Sequence, residues 1–383
     1  MAALRTLFGG QFTALSAKRV VLFNSNYSSK VASVTSLQLN SAHRLYTTKG
    51  KPQISTSDSV VVADQDVSEK SAAAAATAAT SSLEQPEQPR LTASHLLDKE
   101  IADFVQEICP TFKEHQVRTH VAMRVMYALK AIYGYKANTL PFGSFVTYTY
   151  LPSGDIDIHL DLPKHMRIAM TDELTPVATE DVTVDQLALK LIPYARVPLI
   201  KVSEKLTGVQ LDLSFRIGKG VPQGQVGGVL VRRLMDKYKG KLYPLTMVIK
   251  YMLARSHLND PADGGLGSYA TTLMIVSMFQ QQQKLQPRVT QISNPEGLGQ
   301  SLVDFLDLYG NKFNFAQKGI RVNDDGEIFD KAVSPEFPYP PRFDRLLVVD
   351  PLNPCNDVTA SSRRIDEIAE LFSNSLERLQ KRM

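Results

Sequence analysis

Apolar residues first recur at a regular helical spacing near residue 93, and Pro110 ends the helix that they predict. The apolar positions of this first helix are Leu96, Leu97, Ile101, Phe104, Val105 and Ile108. A second helix is predicted over residues 114–133, with apolar positions at Val117, Val121, Val125, Met126 and Leu129. Two amphipathic helices therefore precede the first strand.

The spacing then changes to the two-residue alternation of half-buried strands. Ile156 and Ile158 alternate with acids in residues 154–160, and residues 209–213 repeat that arrangement. Further strand signal lies in residues 181–189 and 196–201. After residue 220 the chain is predicted to be mostly helical, over 226–238, 245–257, 267–282 and 302–309. This order is typical of an α+β protein whose strands are grouped between helical stretches.

The N-terminal region differs in composition from the rest of the chain. The first 57 residues contain no Asp or Glu, and residues 1–46 carry five basic side chains. Such acid-poor, Ser- and Arg-containing segments are typical of mitochondrial or chloroplast transit peptides. Arg44 and Tyr46 resemble a matrix-processing site, so residues 1–46 are predicted to be a mitochondrial transit peptide; a disordered basic tail is the alternative. Residues 47–92 have no aromatic side chain up to Leu91 and are predicted to be a disordered linker.

Charge and cysteine content narrow the class of protein. The 383-residue chain has a formal net charge of +4, but residues 47–383 contain 38 basic and 39 acidic residues, so no general basic field favours nucleic acid. Cys109 and Cys355 lack zinc or disulfide spacing and suggest a reducing compartment. No apolar run approaches the roughly 18 residues of a membrane span, so no membrane partner is expected.

Three carboxylates carry the strongest chemical signal. Asp155 and Asp157 lie two positions apart on one predicted strand, so both side chains point to the same face, and Asp212 lies on another strand. Like charges held this close resist ionising together unless a cation lies between them. A Gly143-Ser144 turn that suits phosphate precedes them by about ten residues. A lone pair of acids is usually a solvated strand end, but this combination indicates a metal-dependent nucleotidyl-transfer site.

Several segments resemble noncanonical poly(A) polymerases of the DNA-polymerase-β-like nucleotidyltransferase superfamily, in the branch with the TRAMP-type enzymes. The likeness covers roughly residues 93–372 and includes LPFGSF (140–145), YLPSGDID (150–157), VPLIK (197–201), LDLSF (211–215), GGLGSY (264–269), FLDLYG (305–310), DPLNP (350–354) and NDV (356–358). It implies an α+β fold that pairs a polymerase-β-like nucleotidyltransferase domain, a mixed sheet with helices, with a helical central domain. The implied division is N-terminal helices of the central domain at 93–134, the catalytic domain at 135–220 and the central, PAP-associated domain at 221–383, with a nucleotide-recognition loop near 340–360.

The resemblance also implies roles for individual residues. Asp155 and Asp157 would hold two Mg²⁺ (or Mn²⁺) ions, and Asp212 would complete the metal site. Gly143 and Ser144 would contact phosphate, as would Lys250 and Ser268, while Tyr269 would stack under the base. Without the family resemblance, Lys250 is interpreted as a snorkelling surface lysine and Tyr269 as a core aromatic.

One residue departs from the family pattern, and two residues of the late loop bear on base choice. Tyr148 stands where the family often has glycine, so a bulky residue either alters the phosphate turn or packs outside it. In related uridylyltransferases a late-loop histidine commonly contacts uracil, whereas this chain has Asn356 and Asp357 there. Adenylation is therefore expected. Insertion of a glycine-rich stretch at 218–228 leaves the ribose contacts unassigned.

The function expected from the sequence is template-independent addition of AMP from ATP to RNA 3′ ends in the mitochondrial matrix. The alternatives are a terminal uridylyltransferase, a catalytically silent RNA-binding or assembly subunit, and a nuclear location. An RNA-binding or degradation-complex partner is a further expectation. RNA contact is expected at the basic cluster Arg232, Arg233, Lys237, Lys239 and Lys241, although a solvated helix face explains such a run equally well.

Overall fold

A computed structural model describes residues 93–134, 138–161, 182–184, 187–192, 199–215, 223–285, 297–323, 326–333 and 343–382. The predicted transit peptide and linker lie outside these ranges, as do residues 196–198 of one predicted strand. Within the described part, no helix is both long enough and apolar enough to cross a membrane.

The strands predicted around the acids form one mixed sheet. Its members are β1 (Asn138–Phe142), β2 (Ile156–Asp161), β3 (Val182–Val184), β4 (Leu187–Ile192), β5 (Leu199–Glu204) and β6 (Gln210–Phe215), in the order β1-β2-β6-β5-β4-β3. β2 and β6 run parallel, and the other neighbours are antiparallel. The alternation expected from the sequence is present, because Ile156, Ile158 and Leu211 are fully buried while Asp157 and Asp212 are only partly buried.

Six of the eight helices in the described residues lie close to predicted positions, and the helices over residues 143–147 and 365–380 were not predicted. The eight helices are α1 (Ala93–Ile108), α2 (Phe112–Tyr133), α3 (Gly143–Thr147), α4 (Gln223–Lys237), α5 (Leu242–Arg255), α6 (Ser268–Leu285), α7 (Leu298–Asp307) and α8 (Ile365–Gln380). A π turn, Leu308–Lys312, extends α7, and short 3₁₀ turns occupy Pro261–Asp263 and Lys331–Val333. The predicted helices are confirmed with shifts of a few residues at their ends, although Leu96 of α1 is half exposed.

Two large hydrophobic cores organise these elements. The larger core joins α1 with α5, α6, α7 and α8, and α5 and α6 are buried over most of their lengths. The smaller core lies between α2 and the sheet, where Val121 and Val125 pack with Ile156, Ile158 and Leu211. The two N-terminal helices therefore divide between the cores, α1 in the helical one and α2 against the sheet.

The chain after residue 220 is less helical than expected, because four strands lie among the described residues between 318 and 357. A second sheet is present there, made of β7 (Lys318–Arg321), β8 (Glu327–Asp330), β9 (Leu347–Asp350) and β10 (Asn353–Asp357), in the order β10-β9-β7-β8. All four residues of β9 are buried, so this strand shows no polar–apolar alternation. Its neighbours are only four or five residues long. Short strands without a two-residue period give little signal in a sequence.

Candidate active site

Two neighbouring strands place their acids side by side. In the parallel pair β2 and β6, Asp157 is directly opposite Asp212, and Ile156 and Ile158 are opposite Leu211 and Leu213. The apolar neighbours are buried behind the sheet, so the acids project from its other face. Asp155 precedes β2 by one residue and so enters the same face. The three acids predicted from the sequence are thus brought together by one strand pair.

The acids are held in an environment that disfavours three negative charges. Burial, followed by repulsion from Asp212 and Asp155, raises the pKa of Asp157 to about 7. Burial likewise raises the pKa of Asp155 and of Asp212 against the opposing effect of Lys201. Asp260, an exposed residue that caps the 3₁₀ turn before α6, adds repulsion to both. A bound cation would remove this penalty.

Lys201 is a site residue that was noticed in the sequence only as part of a motif. It lies on β5 directly opposite Asp212 of β6, and its Nζ is 3.8 Å from Asp212 Oδ2. Its charge favours the ionised form of all three acids. A signal was available, because a lysine on a strand paired with an acid-bearing strand supplies a counter-charge.

The Gly143-Ser144 turn lies against the second acid. Gly143 has a left-handed backbone with φ +67°, and a Cβ built on it would lie 2.3 Å from Asp157 Oδ2. Only glycine fits both constraints. Ser144 follows in the first turn of the short helix α3, and its carbonyl accepts from Thr149 N at 3.0 Å. The turn predicted to bind phosphate is therefore in direct contact with Asp157.

Tyr148 packs outside the phosphate turn. It ends α3 in a left-handed conformation, φ 60° and ψ 20°, which explains why glycine suits this position. Its ring is 55% exposed and lies 4.6 Å, centroid to centroid, from the ring of His115 on α2.

Lys250 faces the acids from the helical core. It lies on α5, and its Nζ donates to the carbonyl of Thr149 in the segment that joins α3 to β2. Burial lowers its pKa to about 8, and attraction to Asp157 opposes that effect. A buried ammonium directed at the acid-bearing segment differs from the snorkelling surface lysine that the sequence also allowed.

Two of the residues expected to contact the base, Tyr269 and Asn356, meet at one buried carboxylate. Ser268 and Tyr269 open α6, whose first backbone N–H groups are suited to an anion. The Tyr269 hydroxyl donates to Asp350 Oδ1 at 3.1 Å, and Asn356 Nδ2 donates to Asp350 Oδ2 at 3.1 Å. Asp350 also accepts from Leu352 N at 3.0 Å. One acid therefore fixes the stacking ring and the late-loop amide relative to each other.

Asp350 lies in one of the family-like motifs but was not predicted to belong to the site, because its role depends on a tertiary contact with α6. Asp357 has a different environment from Asn356. Its Oδ1 accepts from Thr359 N and from Thr359 Oγ1, both at 2.8 Å, so it shapes the loop after β10. The base contact expected of Asp357 stays a prediction.

The side chains of Asp155, Asp157 and Asp212 are of the chemical type that binds divalent cations. Among the residues that the structure describes, no group of three or more His, Cys, Asp or Glu side chains is placed to hold a metal ion. The three acids offer carboxylate oxygens, which Mg²⁺ prefers, and a cation relieves the mutual repulsion of Asp157 with Asp155 and Asp212. An incomplete protein cage is usual for Mg²⁺, because nucleotide phosphates and water supply its other ligands.

Two family models match the chain. One describes the central palm domain of mitochondrial-like poly(A) RNA polymerases and covers residues 97–225. The other describes the Cid1 family of poly A polymerases and covers residues 297–356. The first spans the sheet that carries the acids, and the second ends at Asn356.

Known proteins resemble the same region. Poly(A) RNA polymerase cid14 of Schizosaccharomyces pombe is 31% identical over 300 residues, which cover 76% of this chain and 41% of that protein. The inactive non-canonical poly(A) RNA polymerase protein Trf4-2 of Drosophila melanogaster is 28% identical over 288 residues, 75% of this chain and 69% of that protein. The solved polymerase core of TRAMP, an RNA surveillance complex, superposes with a TM-score of 0.60 and 26% identity, over 75% of this chain and 87% of that one.

The raised pKa of Asp157 predicts a pH-dependent stability. In metal-free protein the native state holds a proton that the unfolded chain releases above its ordinary pKa of 3.8. The free energy of unfolding should therefore decrease as the pH rises from about 4 to about 7, by an amount on the order of a few kcal/mol. It should stay reduced at higher pH. Asp157→Asn removes the penalty. In EDTA its melting temperature should exceed the wild type's at about pH 8, and the two should converge near pH 4.

Mg²⁺ added at about pH 8 should raise the melting temperature of the wild type and leave that of Asp157→Asn nearly unchanged. A difference between the two proteins that is independent of pH would show that Asp157 is ionised normally in the native state.

Proposed function

The chain belongs to the noncanonical poly(A) RNA polymerases, a family of nucleotidyltransferases, and we propose that it transfers AMP from ATP to RNA 3′ ends. The observation that carries the proposal is the placement of Asp157 between Asp212 on the neighbouring strand and Gly143 of the phosphate turn. This brings a metal-binding acid and a phosphate-binding backbone into contact. The matched region spans 41% of the length of cid14, so activity, substrates and partners are all part of the proposal.

The proposed reaction assigns a task to each side chain. Asp155, Asp157 and Asp212 hold two Mg²⁺ ions, which when bound lower the pKa of the RNA 3′-hydroxyl and stabilise the departing pyrophosphate. Gly143 lets the backbone approach the triphosphate, and Ser144 donates its hydroxyl to it. Lys250 and the first turn of α6 at Ser268 add positive potential.

Tyr269 provides the face on which the base stacks. Its hydroxyl is tied to Asp350, so the ring is held at one orientation. A Cβ on Gly227 of α4 would lie 3.8 Å from this ring, which places α4 beside the stacking surface.

The orientation of Asn356 supports ATP as the nucleotide. Its Nδ2 is directed at Asp350, so the other end of the amide carries the acceptor oxygen. Adenine presents an exocyclic amino donor, whereas uracil has a carbonyl oxygen at the corresponding edge. An amide oxygen placed beside the base would accept from this amino group and favour adenine, by about the 1 kcal/mol of one hydrogen bond.

The exposed face of α4 is the proposed path of the RNA backbone. α4 borders the nucleotide site, because Gly228 approaches Val146 of α3. Arg233 and Lys237 lie on the exposed side of the same helix. Arg232 has a different role, since its Nε donates to the carbonyl of Val146 at 3.1 Å and ties α4 to α3.

Mitochondrial RNA is the proposed substrate pool, and the acid-free first 57 residues are what supports it. A partner that delivers RNA is also proposed, because residues 47–383 carry 38 basic and 39 acidic side chains and so have little general attraction for a polyanion.

The proposed activity is tested by incubating the full chain with oligo(A) RNA, Mg²⁺ and one nucleoside triphosphate at a time. Extension should be fastest with ATP, and Asp155→Ala or Asp212→Ala should lower its rate on the order of 10³-fold or more. Both variants should melt no earlier than the wild type, since each removes one of several repelling charges. Preferred extension with UTP would identify a uridylyltransferase, and no extension under either Mg²⁺ or Mn²⁺ would identify a silent subunit.

Base choice is tested by Asn356→His, which replaces the amide of the late loop with an imidazole. The free-energy preference for ATP over UTP, obtained from the ratio of their kcat/KM values, should fall by about 1–2 kcal/mol. A hydrogen bond to adenine is lost and one to uracil replaces it. Asn353→His is the matched control, because it makes the same change on the same strand, where Asn353 Oδ1 accepts from Cys355 N at 3.3 Å. An unchanged ratio in Asn356→His, with activity retained, would exclude this strand as the base reader.

The RNA path is tested by reversing Arg233 and Lys237 to Glu. The RNA KM should rise and its salt dependence should flatten, while the ATP KM stays near the wild-type value. Arg232 is left in place because its loss would disturb α3. The control variant carries Glu in place of Arg378, which is in α8, and of Lys381, which follows α8. It makes the same change in net charge elsewhere on the surface. If both double variants raise the RNA KM equally, the effect is one of net charge and α4 is not the path.

A further inference from the structure

Arg118 is a buried cation in the middle of α2, and the residue is 5% exposed. Its guanidinium binds two main-chain carbonyls: Nη1 donates to Gly154 O at 2.7 Å, and Nη2 donates to Pro152 O. The planar fork of a guanidinium matches two acceptors at a fixed separation, which an ammonium cannot do. No motif in the sequence predicted a role for Arg118.

The two carbonyls belong to the turn that delivers the first metal-binding acid. Gly154 N donates back to Leu151 O at 2.7 Å, which closes the turn, and a Cβ on Gly154 would lie 3.1 Å from that oxygen. The carbonyl of Gly154 is part of the peptide unit whose nitrogen belongs to Asp155. Because a peptide unit is planar, fixing that carbonyl fixes the direction in which the chain enters Asp155.

The Arg118 side chain packs on the buried ring of Tyr150. Its guanidinium carbon lies 5.1 Å from the centre of the Tyr150 ring, and the Tyr150 hydroxyl is 2.9 Å from His115 Nδ1 on the same helix. Tyr150 is 1% exposed and belongs to the core between α2 and the sheet. The turn before Asp155 is thus connected to the six-stranded sheet in two ways. It continues into β2, and it contacts α2 through Arg118.

We infer that Arg118 is a positioning residue for the metal site: by holding the turn at Pro152 and Gly154, it fixes the direction in which Asp155 enters the face of the sheet that it shares with Asp157 and Asp212. The inference rests on the proposed function, because it takes these acids as metal ligands. Electrostatics agree with it. Burial raises the pKa of Asp155, while Lys201 and then Arg118 act in the opposite direction and favour the carboxylate.

The competing explanation is that Arg118 only stabilises the fold, since any buried, hydrogen-bonded arginine contributes to stability. The two explanations differ in what happens to folded protein. A positioning residue changes metal affinity and kcat at temperatures where the variant is fully native. A purely structural residue changes the melting temperature alone.

The experiment compares Arg118→Lys and Arg118→Gln with Arg124→Gln in the full chain. Lysine keeps the charge but cannot span both carbonyls, and glutamine keeps a single donor group. Arg124 lies six positions along α2, is 41% exposed and pairs with the buried Glu204 at 3.7 Å, so Arg124→Gln also loses an arginine contact to a buried group, away from the acid-bearing turn. Three quantities are measured for each protein: melting temperature, Mn²⁺ affinity by titration calorimetry without nucleotide, and the kinetics of RNA extension.

Both Arg118 variants should bind Mn²⁺ about 10–100-fold more weakly and lose kcat by a similar factor, with the RNA KM unchanged, as is typical when a residue behind a metal ligand is removed. Arg124→Gln should bind Mn²⁺ and turn over like the wild type at temperatures where it is folded. Wild-type Mn²⁺ affinity and kcat in natively folded Arg118 variants would overturn the inference, even if their melting temperatures fell.

If both Arg118 variants fail to fold, Gly154→Ala decides, because its Cβ presses on Leu151 O and shifts the same peptide without touching Arg118. Weakened Mn²⁺ binding in Gly154→Ala supports the inference, and wild-type binding overturns it. If the wild type extends no RNA but the Arg118 variants still lose Mn²⁺ affinity, the proposed function fails while the positioning role stands.

Discussion

The pairing of Asp157 with Asp212 on adjacent parallel strands is the constraint on which the site depends. Two carboxylates directly opposite each other, with Asp155 close by, repel strongly where burial removes water. The sheet tolerates this because cations approach from two elements that do not carry the acids. Lys201 comes from the antiparallel neighbour β5, and Lys250 comes from α5. The acids are therefore kept close together in a partly compensated state that a divalent cation completes.

This arrangement explains why the chain needs two cores. The acids and Lys201 belong to the sheet, which packs on α2. Lys250 and Tyr269 belong to helices of the other core, and each reaches a partner outside its own helix, Thr149 before β2 and Asp350 at the end of β9. Neither core alone contains the three acids together with Lys250 and Tyr269. The site exists only where residues from both are in contact.

Periodicity determined how much of the fold could be predicted from the sequence. The acid-bearing strands and the long helices have regular spacings, and the structure contains them close to the expected positions. The second sheet was missed, because β9 is buried at every position and has no polar–apolar period. Missing that sheet also hid Asp350, whose partner Tyr269 lies 81 positions earlier in the chain. Lys201 was visible in a motif, but its role depends on strand register, which the spacing of residues within one strand does not specify.

Asp350 shows how a short, loop-rich sheet can still hold two groups at a fixed geometry. Its two oxygens accept from a tyrosine hydroxyl on α6, an amide on β10 and the backbone of Leu352. A buried carboxylate with three donors has few other arrangements of equal energy, because every shift leaves a donor or a lone pair without a partner. The direction of the Asn356 amide is therefore a consequence of Asp350 and of the Tyr269 hydroxyl that shares it. The Tyr269 ring, the Asn356 amide and Asp350 are therefore coupled, and a change at any one of them alters the positions of the other two.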